Sequence, residues 1–417
     1  MKNRGFSLVE LMVGLAVGAV AILVLTQLAI TFEGQKRSTV GSAESMDEGA
    51  VALYTLSREL QGAGYGIIDQ DLIGCTIRIH SEVPGQPAGA QDYFVSVFPA
   101  RIAKGAGGVP DSIMVTSSNS PMISAAVTLI QAYNGDLTNF RLSERYGFEA
   151  GDAIILAKPL NLRNTFPPSE RNCSMHQVTG LPNAPGETND LRHLLEKYTN
   201  ALGQPNQDSK WNTVAGLGAP DYAYPANTTK VFNIGSGPTV MTYTACTAAS
   251  PAPCTAQNIG QMIATNNLDG KTTVLMENVI AFKAQYGLDT RVPAQPDLRV
   301  TAFSNTILDA DGDGVSMAFD AGGLVVTNDP DDYMRVGAVR IAIVARSKYP
   351  DNPNTPGSCT SNFDPALGTD APPNWGWDSI SVADLAAGLP AGADWRCYKY
   401  KVFQTVAPLR NMMWRVR

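Results

Sequence analysis

Histidine is almost missing from this chain. Its 417 residues hold three, His80, His176 and His193, spaced so that no HExxH pair can form. There is no GxSxG elbow and no Walker A loop. Together these gaps remove the common hydrolase and phosphotransferase sites, and the isolated histidines read as surface or packing residues. The six cysteines include no CxxC pair, so zinc spacing is absent as well. Charge is also scarce: 17% of residues are Asp, Glu, Lys or Arg, and the net charge is −7. Basic residues are dispersed, apart from Arg410, Arg415 and Arg417 near the C-terminus, which argues against a nucleic-acid surface. One stretch lacks charge entirely. Residues 11–32 contain no Asp, Glu, Lys or Arg, and residues 6–32 contain no proline.

That apolar run follows a short basic leader, Met1-Lys-Asn-Arg-Gly5, and then Phe6-Ser-Leu-Val-Glu10. At about 1.5 Å per residue, 11–32 makes roughly 33 Å of helix, enough to cross a bilayer. Glu10 stands at its entrance, where a carboxylate is costly, and intramembrane carboxylates are rare and usually functional. A secretory signal places its small-residue cleavage site after the apolar stretch. Here the small residue, Gly5, comes before it, so a cut after Gly5 leaves the membrane helix on the mature chain. Lys2 and Arg4 before the run are nearly balanced by Lys36 and Arg37 after it, so charge does not set the orientation. Gly14 and Gly18 form a GxxxG pattern, which lets helices approach closely; ordinary membrane helices carry such glycines too.

The helix is expected to continue past the membrane. Met46, Ala50, Leu53, Leu56 and Leu60 recur as one face of an amphipathic helix, and Gly62 and Gly64 suit its stop. Gly34, Gly41 and Gly49 each cost about 1 kcal/mol relative to alanine and predict a bent or locally loosened helix. From Cys75 onward the pattern changes to strands, expected at 75–80, 93–98, 112–116, 125–130, 153–157, 230–234, 239–244, 279–286, 336–345 and 398–406. Residues 336–345 read as a central strand, with Arg340 the exception. Two long stretches rich in Pro, Asn, Gly and Asp, 161–229 and 348–394, read as functional or mobile loops. They hold Cys173 and Cys359. Residues 244–255, biased to Ala, Thr and Pro, read as a pinned loop holding Cys246 and Cys254. No internal repeat is visible.

Gly5, Phe6 and Glu10 at this spacing, beside an uninterrupted apolar run, resemble the class III leader of type IV pilins and type II secretion pseudopilins. The resemblance implies that a prepilin peptidase cuts after Gly5 and methylates Phe6. It implies that Glu10 pairs with the terminal amine of a neighbouring subunit and sets axial register as a subunit leaves the bilayer. It also puts the leader in the cytoplasm, one helix across the bacterial inner membrane and the head outside. An even cysteine count in that compartment favours disulfides. Local loop closure favours Cys246–Cys254 and Cys359–Cys397, which leaves Cys75–Cys173.

Segments 278–289, 338–347 and 400–411, with 56–65 at the end of the helix, are similar to the PilW-type minor pilin; the two long loops fall outside the resemblance. The expected fold is α+β, a long N-terminal membrane-spanning helix packed on a mostly antiparallel β head with long inserted loops. The parts are a leader at 1–5, a helix at 6–64 and a head at 65–417. The implied role is non-enzymatic: initiating or assembling type IV pili in a tip or priming complex with other minor pilins, the major pilin and a tip adhesin. A J-type pseudopilin of a secretion system and an adhesive tip subunit are the alternatives. The missing helix proline and the bulk of the head argue against a shaft-forming major subunit.

One motif lies outside that role. Asp309-Ala-Asp311-Gly-Asp313-Gly314-Val315 matches the start of a calcium loop, with carboxylates at positions one, three and five, glycine at six and the Val315 carbonyl at seven. Asp320 falls at position twelve, where glutamate is preferred. Flanking helices are not evident, so the segment reads as an EF-like loop between strands or as an acidic surface turn. Calcium is the one cofactor with a candidate site.

Overall fold

Fifty-five residues, Leu8–Gly62, form one helix in this computed structural model. The structure describes residues 7–81, 91–106, 109–120, 126–134, 138–159, 173–194, 196–212, 223–291, 298–309, 313–319, 325–327, 329–350, 377, 389 and 394–413. The helix passes through Gly34, Gly41 and Gly49 without interruption, so the expected loosening is absent. Its buried face also differs from the expected one. Gly49, Ala52, Leu56, Leu60 and Ala63 are buried, whereas Met46 is 42% exposed and Ala50 is exposed. The reason is close approach. A Cβ on Gly49 would lie 2.3 Å from the Phe403 ring, so only glycine lets helix and sheet meet there. Small residues give no hydrophobic signal, which is why periodicity located Leu56 and Leu60 but not the start of the face.

The helix packs on a four-stranded antiparallel sheet ordered Ala302–Ser304, Val279–Leu288, Val336–Arg346, Tyr400–Pro408. Val336–Arg346 is central, as its β-branched run predicts. Val339, Ile341, Ile343 and Ala345 face the helix-side core, and Ala342 and Val344 face a second cluster with Trp395, Tyr398 and Tyr400. Arg340 belongs to that outer face. Its guanidinium lies 4.1 Å from the Phe303 ring centroid and 4.4 Å from that of Trp377, and donates to Gln285 Oε1. Cation–π contacts thus accommodate the one charge in the interior of the strand.

A five-stranded sheet shares the helix-side core. Its order is Thr272–Met276, Met262–Asn266, Thr239–Ala245, Ser112–Ser117, Ala100–Ala103. Ile113 and Val115 point into that core, while Met114 points away into a second one. There it meets a six-stranded sheet ordered Gln91–Ser96, Thr76–Ser81, Cys173–Gln177, Ala153–Ala157, Lys230–Gly235, Val127–Thr128. Ile155 faces the second core; Ile154 and Leu156 face an outer layer around Tyr133, Phe140 and Tyr224. The period of two along each strand therefore stacks the molecule in layers. Pairing in the six-stranded sheet is antiparallel except between Thr76–Ser81 and Cys173–Gln177. The fold is α+β, a long helix on a mostly antiparallel β head.

The stretch 161–229 is not simply a loop. Cys173–Gln177 is a fully buried strand, and Asp190–Arg192, Lys197–Tyr198 and Gln207–Asp208 add short ones. Polar residues hide the strand from sequence reading but have partners in the structure. Ser174 Oγ is 2.9 Å from His176 Nε2, Gln177 N donates to Asn212 Oδ1 at 2.9 Å, and Gln177 Nε2 donates to Gly151 O at 3.1 Å. Among the described residues of 126–130 the strand is Val127–Thr128, residue 125 lying outside them, and the last strand shifts to Tyr400–Pro408. Most of 348–394 lies outside the described residues.

Two disulfides are described, Cys75–Cys173 with Cα atoms 5.8 Å apart and Cys246–Cys254 at 5.4 Å. The first ties the turn after the helix to the six-stranded sheet. Cys397 is also disulfide-bonded; Cys359 lies outside the described residues.

Candidate membrane and assembly site

Ser7 starts the helix. Its Oγ accepts from Val9 N at 3.3 Å, and Glu10 Oε2 accepts from Ser7 N at 3.0 Å. This is a capping box, Ser-x-x-Glu, satisfying donors that a helix N-terminus leaves open. The positive end of the helix dipole favours the same carboxylate. Glu10 therefore already has one bond in its own chain. Sequence reading assigned Glu10 only to a neighbour and overlooked Ser7, although the Ser-x-x-Glu spacing was legible. Gly5 and Phe6 lie outside the described residues.

Leu8–Ile30 is long and apolar enough to span a membrane, and none of it is buried against the rest of the chain. Thr26 Oγ1 returns its hydrogen bond to Ile22 O at 2.6 Å, so that hydroxyl is satisfied within the helix. Gly14 and Gly18 face open space, with nothing of this chain within 4 Å of an added Cβ.

The other end of the helix is held by the C-terminal segment. Asn411 Nδ2 donates to Gly62 O at 3.1 Å and Ala63 O at 3.0 Å, capping carbonyls the helix leaves open. Ala407, Leu409 and Met412 join its core. Gly64 N donates to Thr116 O at 2.8 Å, so the turn after the helix joins the five-stranded sheet. An apolar span thus projects from a head whose last strand clamps the helix.

Residues 246–411 match the family model described as type IV pilus-assembly protein W, and residues 1–26 match the prokaryotic N-terminal methylation motif. The chain carries a PilW-type domain behind a prepilin methylation motif. No curated protein and no solved structure matches it. The PilW match takes in the whole four-stranded sheet and two strands of the five-stranded one. The methylation motif takes in the leader, the capping box and most of the apolar span. This fits a membrane-anchored pilin associated with type IV pili, and it implies contact with other pilus components and processing by prepilin peptidase.

The remaining sequence candidates are placed as follows. His176 and His193 are buried together, their ring centroids 5.3 Å apart, and His193 stacks on Phe140 at 3.8 Å. Burial pushes the His176 imidazole down to about 3 and His193 well below its ordinary value. Both are neutral packing residues of the outer layer. In the calcium candidate, Asp309 Oδ2 accepts from Gly314 N at 3.0 Å and Asp313 Oδ1 accepts from Val315 N at 2.7 Å. Gly314, at φ +86°, makes the left-handed turn that position six requires. Asp311 and Asp320 lie outside the described residues, and among the described residues no group of three His, Cys, Asp or Glu is placed to hold a metal.

Proposed function

We propose that this protein is a minor pilin that primes type IV pilus assembly at the inner membrane. It works in a complex with other minor pilins, the major pilin and a tip adhesin, and it ends at the pilus tip. Its head stands in the periplasm before assembly, and the reading gives it no catalytic role. The observation that carries the proposal is the division of the head. The PilW region, 246–411, contains the sheet that grips the helix. Residues before it build most of the five-stranded sheet and the six-stranded one, stacked on the far side. Subunits of a shaft must pack side by side along closely spaced helices, and a layered head of this bulk fits poorly among them. A tip position has fewer neighbours.

A deletion strain tests this reading. Surface pili should fall while synthesis of the major subunit continues. Normal pili with failed release of folded exoproteins would favour a J-type pseudopilin. Normal pili with failed attachment would favour an adhesive tip subunit.

The acidic loop is proposed as a calcium site formed by Asp309, Asp311, Asp313, the Val315 carbonyl and Asp320. Crowded carboxylates repel, and a divalent cation relieves that repulsion. The expected dissociation constant is about 10⁻⁴–10⁻³ M, as in extracellular modules. Calcium should raise the melting temperature of the detergent-solubilised chain, because it binds the folded state preferentially. Asp311→Ala with Asp313→Ala should remove the shift. No heat of binding at millimolar calcium would return the segment to an acidic turn.

A further inference from the structure

The head treats two of its sheet edges in opposite ways. In the five-stranded sheet, Thr116 N donates to Pro99 O at 3.0 Å. The antiparallel register pairs Ala100 with Val115 and Ile102 with Ile113. Parity then turns the backbone groups of Ala100 and Ile102 outward, and both are capped. Tyr333 Oη accepts from Ala100 N at 2.9 Å and donates to Ala100 O at 2.6 Å, and Tyr286 Oη accepts from Ile102 N at 2.6 Å. Two buried tyrosines close that edge.

The last strand, Tyr400–Pro408, is the edge of the four-stranded sheet. Ser347 N donates to Lys399 O at 2.7 Å and Leu409 N to Gly337 O at 2.9 Å. With the register Ile343↔Phe403 and Ile341↔Thr405, the odd-numbered residues bond inward. Val402, Gln404 and Val406 therefore turn their N–H and C=O groups outward. None of these outward groups has a hydrogen bond among the described residues. Gln404 is exposed, Val406 is 47% exposed, and Lys401 carries the only charge of the strand. Long, uncharged open edges are pairing sites that folded proteins usually block.

The helix restricts what can pair there. Phe403 lies against Gly49, and Asn411 bonds the carbonyls of Gly62 and Ala63. The strand therefore runs in the same direction as the helix, starting on the membrane side. Antiparallel pairing with a second copy would point the two membrane helices in opposite directions, which one bilayer face does not allow.

We propose that Val402, Gln404 and Val406 receive, in parallel, an edge strand of a neighbouring pilin anchored in the same membrane. This rests on the pilin reading above. It adds a main-chain contact between heads to the contact between helices. The incoming strand is low in charge and places an apolar side chain beside Val406.

A photo-crosslinking residue at position 404 of the full-length chain, in its native membrane, tests the proposal. An adduct with another pilin chain is expected. Val406→Pro removes one outward donor and no inward bond, and should lower the adduct yield about tenfold, as loss of a ladder bond plus a blocked edge would. Val406→Lys keeps the donor but places a charge on the edge; it decides the case if the proline variant loses its disulfides. The same crosslinker at Leu202, 83% exposed and outside every described strand, reports random encounters and should give little adduct. No adduct at 404, an adduct only with a protein lacking a prepilin leader, or a yield unchanged by both Val406 variants would overturn the proposal. Pili counted in the deletion strain separate the two readings. A specific 404 adduct in a cell whose pili do not need this protein would sink the priming role and leave the edge pairing standing.

Discussion

Asp111→Ala should cost about 2–3 kcal/mol of head stability, chiefly the penalty for leaving a buried backbone donor without its acceptor. Asp111 is fully buried and satisfied on both oxygens. Oδ2 accepts from Lys104 Nζ at 2.5 Å and Ala284 N at 2.8 Å, and Oδ1 accepts from Gly105 N at 3.0 Å. Its own N–H donates to Phe282 O at 2.9 Å. One carboxylate thus joins the start of the strand Ser112–Ser117 to the strand Val279–Leu288, tying the five-stranded sheet to the helix-bearing one. Alanine would leave the Ala284 N–H without its acceptor and Lys104 without its counter-charge; Lys104 would keep its 3.1 Å bond to Ala284 O. Asp111→Asn should cost less, because an amide oxygen can still accept. Urea unfolding of the full chain in detergent, followed by tryptophan fluorescence, measures the loss. A change below about 1 kcal/mol, the range of exposed ion pairs, would show that the two sheets do not depend on this link.

The parts legible in the sequence were those that local chemistry dictates. An uncharged run long enough to cross a bilayer is a helix by composition alone. Val336–Arg346 and Val279–Leu288 announce themselves through β-branched and aromatic residues over strand lengths. The methylation motif is also local, because a peptidase reads it as a linear signal.

What stayed hidden depends on partners distant in sequence. Cys173–Gln177 is polar by type and buried in fact, because Asn212, Gly151 and Lys210 meet its polar groups. Ala100–Ala103 is too short to signal a strand and is held by tyrosine hydroxyls from residues 286 and 333. Gly49 looked like a weakness in the helix and is the point where Phe403 meets it. The open edge was least legible of all. Which residues of Tyr400–Pro408 face outward is set by pairing parity, and nothing in their identities encodes it.

Gly5→Leu should abolish processing and, with it, entry into the filament. The proposed cut after Gly5 brings the peptidase against the backbone there, which glycine would leave uncovered and a leucine side chain would obstruct. Membrane insertion should be unaffected. The Ser7–Glu10 capping box is made by residues on the mature side of the cut and does not depend on it. Two consequences keep the uncut chain out of a pilus. Lys2 and Arg4 remain on the helix end, and each cation costs about 2.5–3.5 kcal/mol where it is drawn into an apolar interior. The nitrogen of Phe6 remains an amide and cannot supply the amine proposed to meet a neighbour's Glu10. Glu10→Ala should separate these steps: that chain is cut and inserted normally, since a membrane penalty is removed, but its recovery in sheared pili falls. Mass spectrometry of the membrane fraction should find wild-type chains beginning at N-methylated Phe6 and the Gly5→Leu chain beginning at Met1. Wild-type protein beginning at Met1, or Gly5→Leu protein recovered in pili at the normal level, would overturn the assignment of Gly5 as the cleavage site.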